Sequence, residues 1–248
     1  MSNTELCRIL DWDTAFFGRR IARLCQDTLT TIEGHSIDEW CSENDVDCLY
    51  FLARADDPSV LRAAQASGFD LVDIRATYSR ELSSVASSAR RPPEVLVRPA
   101  EPADVLVLQR IARHSHTDTR FYADERFPRH LCDALYETWI TRSCAGYADM
   151  VLVAESEQGP IGYISCHSDT VSKDGSIGLV GVDKSEQGQG AGQALVGEAL
   201  DWFRAQQMRT VTVVTQGCNI AAQRLYQKRG FLTKSVQLWY HKWYAAER

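Results

Sequence analysis

Gln187-Gly188-Gln189-Gly190-Ala191-Gly192 follows an apolar, β-branched segment, Ile177–Val182, and precedes a helical pattern. Glycines in such a turn leave backbone amides bare, so an anion can approach them. The helix that follows points the positive end of its dipole at the same place. A pyrophosphate offers enough oxygens to engage several fixed N–H donors at once. A second β-branched segment, Val211–Thr215, leads to Asn219, and a short helical pattern carries Tyr226 seven residues later, before Gly230-Phe231. A phenol with a reference pKa of about 10 stays protonated where a thiol of about 8.5 has begun to ionise, so Tyr226 is suited to protonate a departing thiolate. Together these residues describe a transferase that grips a long phosphorylated cofactor and releases its tail as a leaving group. Each also has a plainer reading. The loop can be a glycine-rich turn without a ligand, Asn219 a helix cap, and Tyr226 a core tyrosine before a Gly-Phe helix stop.

Other chemistries fit less well. A dinucleotide fingerprint needs Gly-x-Gly-x-x-Gly and an acid after the next strand; here the order is Gly188-x-Gly190-x-Gly192 and the next strand ends in Thr215-Gln216. The Gly-Lys-Ser/Thr ending of a triphosphate loop is also missing. Cys218 beside Asn219 raises an acyl-cysteine route, but no His partner lies near it in sequence, and a packing role is the better reading. His114, His116 and His167 are candidate proton carriers or ordinary hydrogen-bonded histidines. Arg120, Tyr122 and Arg126 can reach a diphosphate or a sugar, or can be solvated loop residues. Ile177–Val182 contains no carboxylate and offers no general base.

The elements that must position these groups are mixed α and β. Helical spacing covers Glu101 to His114, with Val105, Leu108, Ile111 and Ala112 on one face. It also covers Phe127 to Cys144, with Leu131, Leu135 and Trp139 on one stripe, and Ala191 to Gln206, with Leu195, Ala199, Trp202 and Phe203 inward. Met150–Glu155 and Ile161–Cys166 form a hairpin across Gln-Gly-Pro, and Lys173-Asp-Gly175 turns into Ile177–Val182. Val211–Thr215 reads as a strand covered on both faces, and Ser235–Tyr244 as a last strand. Its aromatics, Trp239, Tyr240, Trp243 and Tyr244, can serve the core or a homodimer contact. Residues 83–93, rich in serine and closing on two prolines, read as a linker between a domain over 1–82 and a larger one over 94–248. Leu61-Arg-Ala-Ala-Gln-Ala-Ser-Gly68-Phe69 echoes Gln223-Arg-Leu-Tyr-Gln-Lys-Arg-Gly230-Phe231, with Ala64 where Tyr226 stands and no glycine loop before it.

The 248 residues are enough for a sizeable core. A net charge of −6 argues against nucleic acid as partner while leaving room for a local basic site. No apolar run is long enough to span a bilayer and no basic-then-apolar leader is present, so a cytoplasmic protein is expected, with no membrane partner. The eight cysteines form neither a CxxC nor a Cys/His cluster, which points to packing thiols and away from a metal.

Leu179-Val180-Gly181-Val182, Gln187-x-x-Gly190-x-Gly192 and Asn219-x-x-Ala222-x-x-Leu225-Tyr226-x-x-x-Gly230-Phe231 resemble the two signature motifs of the GCN5-related N-acetyltransferases. The resemblance implies an α/β fold of GNAT type, with a splayed central sheet flanked by helices, and acetyl-CoA as cosubstrate without a metal. It implies that Leu179–Val182 carries the pantetheine arm, that Gln187, Gly188, Gln189, Gly190, Ala191 and Gly192 hold the pyrophosphate, that Asn219 and Ala222 flank the arm, and that Tyr226 protonates the thiolate. Upstream, Leu10-Asp-Trp12-Asp-Thr-Ala-Phe16-Phe17-Gly18, Arg120-Phe121-Tyr122 and Leu135-Tyr-Glu-Thr-Trp139-Ile140 are similar to the TDP-fucosamine acetyltransferase family of nucleotide-sugar amine N-acetyltransferases. That family's layout, a truncated GNAT-like half before a complete one, matches the internal echo. The implied reaction is direct attack by the amine of a nucleotide-linked, dTDP-type amino sugar on the thioester, with a backbone N–H near Val182 for the oxyanion. A polyamine, antibiotic or protein N-terminus as acceptor, or a non-catalytic acyl-CoA-binding module, are the rival readings.

Overall fold

The computed structural model describes residues 6–82 and 95–244; the expected linker over 83–93 lies outside the described residues. The chain forms two compact units that are discontinuous in sequence. One comprises Met1–Arg75, Thr119–Leu131 and Val236–Arg248, the other Ala76–Asp118 and Cys132–Ser235.

In chain order the first unit begins β1 (Cys7–Ile9), α1 (Asp11–Phe17), β2 (Ile21–Leu24), α2 (Thr31–Glu43), β3 (Cys48–Arg54) and α3 (Pro58–Ala66), and reaches the start of β4 (Asp70–Glu81). Then come β5 (Leu96–Pro99), α4 (Val105–Ser115), α5 (Arg120–Ala123), α6 (Arg129–Arg142), β6 (Met150–Ser156), β7 (Gly159–Asp169), β8 (Asp174–Val182), α7 (Ala191–Ala205), β9 (Thr210–Gln216), α8 (Ile220–Lys228) and β10 (Leu232–Trp243). The 236–243 part of β10 belongs to the first unit, where the strand order is β1-β2-β3-β10. There β2 and β3 are parallel and the outer pairings antiparallel. α2 is fixed at its start by a capping box, Thr30 with Glu33. Ile37 and Cys41 of α2, and Val60 and Ala64 of α3, pack with Leu49, Phe51 and Tyr240 into that unit's core.

In the second unit the order is β4-β9-β8-β7-β6-β5. β5 to β8 are joined antiparallel, and β8 and β9 run parallel, giving the mixed sheet of a GNAT fold. α7 buries Leu195, Val196, Ala199 and Phe203 against one face. α4 lies on β7 and β8, with Leu108, Ile111 and Ala112 inward. Gly175 exists to admit Phe203, since a Cβ there would lie 2.6 Å from its ring.

Several expectations need correcting. The inward stripe of α6 is Cys132, Leu135, Tyr136 and Ile140, with Leu131 and Trp139 only half-buried. β9 alternates, burying Val211, Val213 and Thr215 while Val214 is 40% exposed, so it is covered on one face only. Tyr240 is a core residue; Trp239, Trp243 and Tyr244 are half-buried. Cys218 does not pack inward but is exposed, its thiol donating to the Asp118 carbonyl at 3.6 Å.

Helix–Gly–Phe occurs twice with one geometry. Phe69 N–H donates to Ala64 O and Gly68 N–H to Gln65 O; Phe231 N–H donates to Tyr226 O and Gly230 N–H to Gln227 O. Gly68 and Gly230 share φ of +77°. Both are Schellman closures, so the two halves end corresponding helices alike.

Phe203 is fully buried between α7 and the strands. Phe203→Ala should therefore cost about 3–5 kcal/mol of unfolding free energy, read as a lowered midpoint at unchanged slope in urea unfolding.

Candidate active site

β8 and β9 stay paired for four residues, from Asp174↔Thr210 to Ile177↔Val213, and then separate. β8 runs on to Val182 without β9 beside it. A bulge falls where the two strands separate: Gly178 and Leu179 together oppose Ser165 of β7, between the pairs Cys166↔Ile177 and Ile164↔Val180. The buried Ser165 hydroxyl accepts from Leu179 N–H at 2.9 Å. Alternation along the strand then sends Val180 and Val182 toward a cavity and Gly181 the other way, against the Tyr163 ring. A Cβ on Gly181 would stand 2.7 Å from Tyr163 Cε1.

The cavity has a volume of about 630 Å³ and lies wholly within the second unit. Its floor is the turn from β8 into α7. Gly188 and Gly190 hold φ of +83° and +98°, values that L side chains rarely adopt. Gly190 is the N-cap of α7 and no side chain caps that helix, so its first-turn N–H groups are open to a ligand. Gln187 and Gln189 brace the turn by donating to the carbonyls of Val182 (3.1 Å) and Ser185 (3.2 Å). Lys184, Arg224 and Lys228 bring positive charge to the lining, with Glu186 and Asp118 as acids.

α8 closes the opposite wall. Asn219 caps it, its Oδ1 accepting from Ala222 N–H at 3.0 Å, so the capping reading of Asn219 holds. Gln223 ties the preceding turn through Nε2 to the carbonyls of Gln216 and Gly217, and receives the Tyr78 hydroxyl at 3.1 Å. Tyr226 sits two residues before the helix ends, buried against Tyr78 and Phe231 with ring centroids 6.2 and 5.9 Å away. It lines the cavity, and burial pushes its phenol above the ordinary range, so it stays protonated at neutral pH.

Of the residues singled out in the sequence, the cavity gathers Val180, Val182, Gln187, Gly188, Gly190, Ala191, Gly192, Asn219, Ala222 and Tyr226. Leu179, Gly181 and Gln189 belong to the same strand and turn but do not line it. Arg120, Tyr122 and Arg126 fall in the first unit. Arg120 lies over the rings of Tyr50, Phe121 and Trp239, Arg126 pairs with Asp70 and Asp124, and Tyr122 carries Arg129 on its face.

The end of α4 and the residues that follow it are the part that sequence reasoning undervalued. His114, Ser115, Thr117 and Asp118 line the cavity, and the Ser115 hydroxyl donates to Val182 O at 3.3 Å. His116 instead points inward, stacked on Tyr136 at 4.7 Å with Nε2 2.9 Å from the Tyr163 hydroxyl. The signal available was the density of hydrogen-bonding side chains in His114-Ser-His-Thr-Asp118.

Strands parted over a bare-amide turn, with a buried phenol across from it, define a class. Residues 109–231 match the acetyltransferase (GNAT) family, and the chain carries a domain of that family, the acetyl-CoA-dependent N-acetyltransferases. Among curated proteins, it is 27% identical over 240 residues to dTDP-fucosamine acetyltransferase of Escherichia coli O6:H1, covering 94% of this chain and 96% of that one. It is 28% identical over 156 residues to spore coat polysaccharide biosynthesis protein SpsD of Bacillus subtilis, covering 62% of this chain and 53%, about half, of that relative's length. A GCN5-related N-acetyltransferase from Sphaerobacter thermophilus superposes with a TM-score of 0.68 at 17% identity, over 96% of this chain and 76% of its own, which shows the shared fold. No helix among the described residues is long and apolar enough to cross a membrane.

Burial lowers the His116 pKa to about 4, so the folded protein holds this ring neutral. An unfolded histidine titrates at about 6.5 and binds the proton that the native ring refuses. Between those values the unfolded chain carries more protons, so this contribution to stability is full above pH 6.5 and is lost as pH falls toward 4. His241, lowered to about 4 chiefly by burial, adds in the same direction. Urea midpoints should therefore rise across that window, and His116→Gln should flatten the rise. An identical pH dependence in the variant would contradict a neutral, buried His116.

Proposed function

We propose that the protein transfers the acetyl group of acetyl-CoA to the amine of a nucleotide-linked amino sugar of the dTDP type. The observation that carries the acetyl-CoA half is the parting of β8 from β9 after Ile177↔Val213, above Gly188 and Gly190 and opposite Tyr226. The acceptor half is supported by the dTDP-fucosamine acetyltransferase relative, which aligns along nearly the whole of both chains.

The residues present fit the cosubstrate. Amides of 187–192 and the open first turn of α7 bind its pyrophosphate, with Lys184, Arg224 and Lys228 adding charge. The edge of Leu179–Val182 that β9 leaves free runs beside the pantetheine arm, and Asn219 and Ala222 flank it from α8. A neutral amine attacks the thioester carbonyl, a C–N bond forms, and the C–S bond breaks. A main-chain N–H at or near Val182 steadies the oxyanion, and Tyr226 gives its proton to sulfur. The stretch Ile177–Val182 contains no carboxylate, so the ammonium proton leaves through water. Acetyl-CoA is a cytosolic metabolite in this scheme, which places the enzyme in the cytoplasm.

The experiment is incubation with acetyl-CoA and a panel of nucleotide-linked amino sugars, polyamines and peptides, with free thiol release as the signal. Release only with polyamines or peptides would overturn the acceptor assignment. Tyr226→Phe should lower kcat by about 10²–10⁴ while acetyl-CoA still binds; wild-type turnover would remove the acid role. Gly190→Val, which forces a β-branched residue to φ of +98°, should weaken acetyl-CoA binding in calorimetry, and an unchanged affinity would count against the turn.

A further inference from the structure

In the first unit the ladder pairs Arg8 with Arg23, Arg23 with Tyr50, and Tyr50 with His241. Residues directly opposite in a sheet share a face, so these four stand in a row across β1, β2, β3 and β10. Neighbouring positions Leu49, Phe51 and Tyr240 fill the core on the other face. Trp239, two residues from His241, belongs to the same face as the row. The face opposite the core is thus built from guanidinium groups and aromatic rings.

Aromatic rings, rather than ion pairs among the described residues, hold its cations. Arg120 rests with its guanidinium carbon 4.1 Å from the Tyr50 ring centre and 4.4 Å from that of Trp239, and Arg23 lies 5.3 Å from the Trp239 centre. Arg120 Nη1 also lies 2.9 Å from His241 Nε2. His241 gives its Nδ1 proton to Asp124 at 2.8 Å, so the nitrogen facing Arg120 is a neutral acceptor. Asp124 is itself engaged by His241, Trp243 and Arg126, and Arg126 is further paired with Asp70. Arg75 has its Nε buried with no hydrogen-bond partner. No ion pair to Arg23, Arg75 or Arg120 occurs among the described residues. Burial lowers the pKa of Arg23, and so do the charges of Arg8, Arg75 and Arg120. Asp13, whose carboxyl feels the Arg120 charge, is pushed by burial toward its neutral form all the same.

Half-buried guanidinium groups that repel one another and leave donors unmade are costly in the absence of a ligand. Planar forks fixed on aromatic faces suit a dianion with several oxygens. We propose that Arg23, Arg75 and Arg120 form a diphosphate-binding site in the first unit, distinct in its residues from the turn at Gln187–Gly192. Its expected ligand is the diphosphate of the sugar nucleotide; that part rests on the acceptor reading above, whereas the site itself does not. Arg120 thus keeps a binding role, while Arg126 is committed to its carboxylates.

The test is calorimetric titration of the full chain, already saturated with coenzyme A so that the other anion site is filled, with inorganic pyrophosphate and with dTDP. The wild type should bind both, more weakly as salt rises. Arg23→Gln and Arg75→Gln should each weaken dTDP by about tenfold or more, with coenzyme A affinity unchanged. Arg8→Gln, at an exposed position on the same face, should give a smaller loss and serves as the control should the other two misfold. No binding to the wild type, or equal affinity in folded variants, overturns the site. dTDP bound at these arginines without acetylation of any dTDP amino sugar would sink the acceptor reading and leave the site standing. Acetylation of such a sugar with unchanged KM in Arg23→Gln would do the reverse.

Discussion

Backbone N–H groups in a continuous sheet are already spoken for, so a sheet can bind an extended ligand only where its strands let go of each other. That constraint governs the second unit. β8 and β9 give up their ladder after Ile177↔Val213, and a strand covered by helices and β7 is left with one free edge. Unmet donors in that position are expensive unless something extended takes β9's place. The bulge at Gly178 and Leu179 is the local means of parting. It adds twist, diverts the Leu179 N–H to Ser165, and re-aims the remaining side chains.

What stands at the two ends of that free edge follows from how the flanking helices begin and end. α7 begins at Gly190 in a left-handed conformation with no capping side chain, so its first-turn donors are offered outward. α8 does the opposite. Asn219 satisfies its start, and the Gly230-Phe231 closure pulls the chain back over the Tyr226 carbonyl, clamping Tyr226 between Phe231 and Tyr78. One helix is left with its first-turn donors open while the other is sealed to hold a phenol still, a rigidity that the proposed acid role of Tyr226 calls for. The corresponding closure at Gly68-Phe69 has Ala64 in place of the tyrosine, so the same fastening is kept where no phenol is presented.

The turn, Asn219 and Tyr226 were legible in sequence because their spacing is local: strand, turn and helix follow one another without interruption. Long-range placement was not. Ser115, Thr117 and Asp118 line the cavity only because α4 lies on β7 and β8, and nothing within their own segment announces that. β9 misled because an all-β-branched run erases the alternation that distinguishes one covered face from two. The stripe of α6 was displaced by one position because Cys132 and Tyr136, which form it, weigh less on a hydrophobicity count than Leu131 and Trp139, which do not. Arg23, Arg75 and Arg120 are separated by long stretches of chain, and a net charge of −6 conceals a local positive site altogether.

That concealment has a physical counterpart. Hydrophobic burial cannot favour grouping like charges, so a fold tolerates such a group only when other interactions hold it in place. Here aromatic faces do the holding: Tyr50 and Trp239 both receive Arg120, and Trp239 also takes Arg23. Cation–π contacts anchor the carbon and nitrogen plane without neutralising its charge. A carboxylate would have used up the donors. The selective pairing of Arg126, which does receive Asp70 and Asp124 only six residues from Arg120, shows that acids were sterically available to this segment. Charge left unmatched beside charge fully matched is the arrangement expected of a surface that waits for an anion from outside the chain.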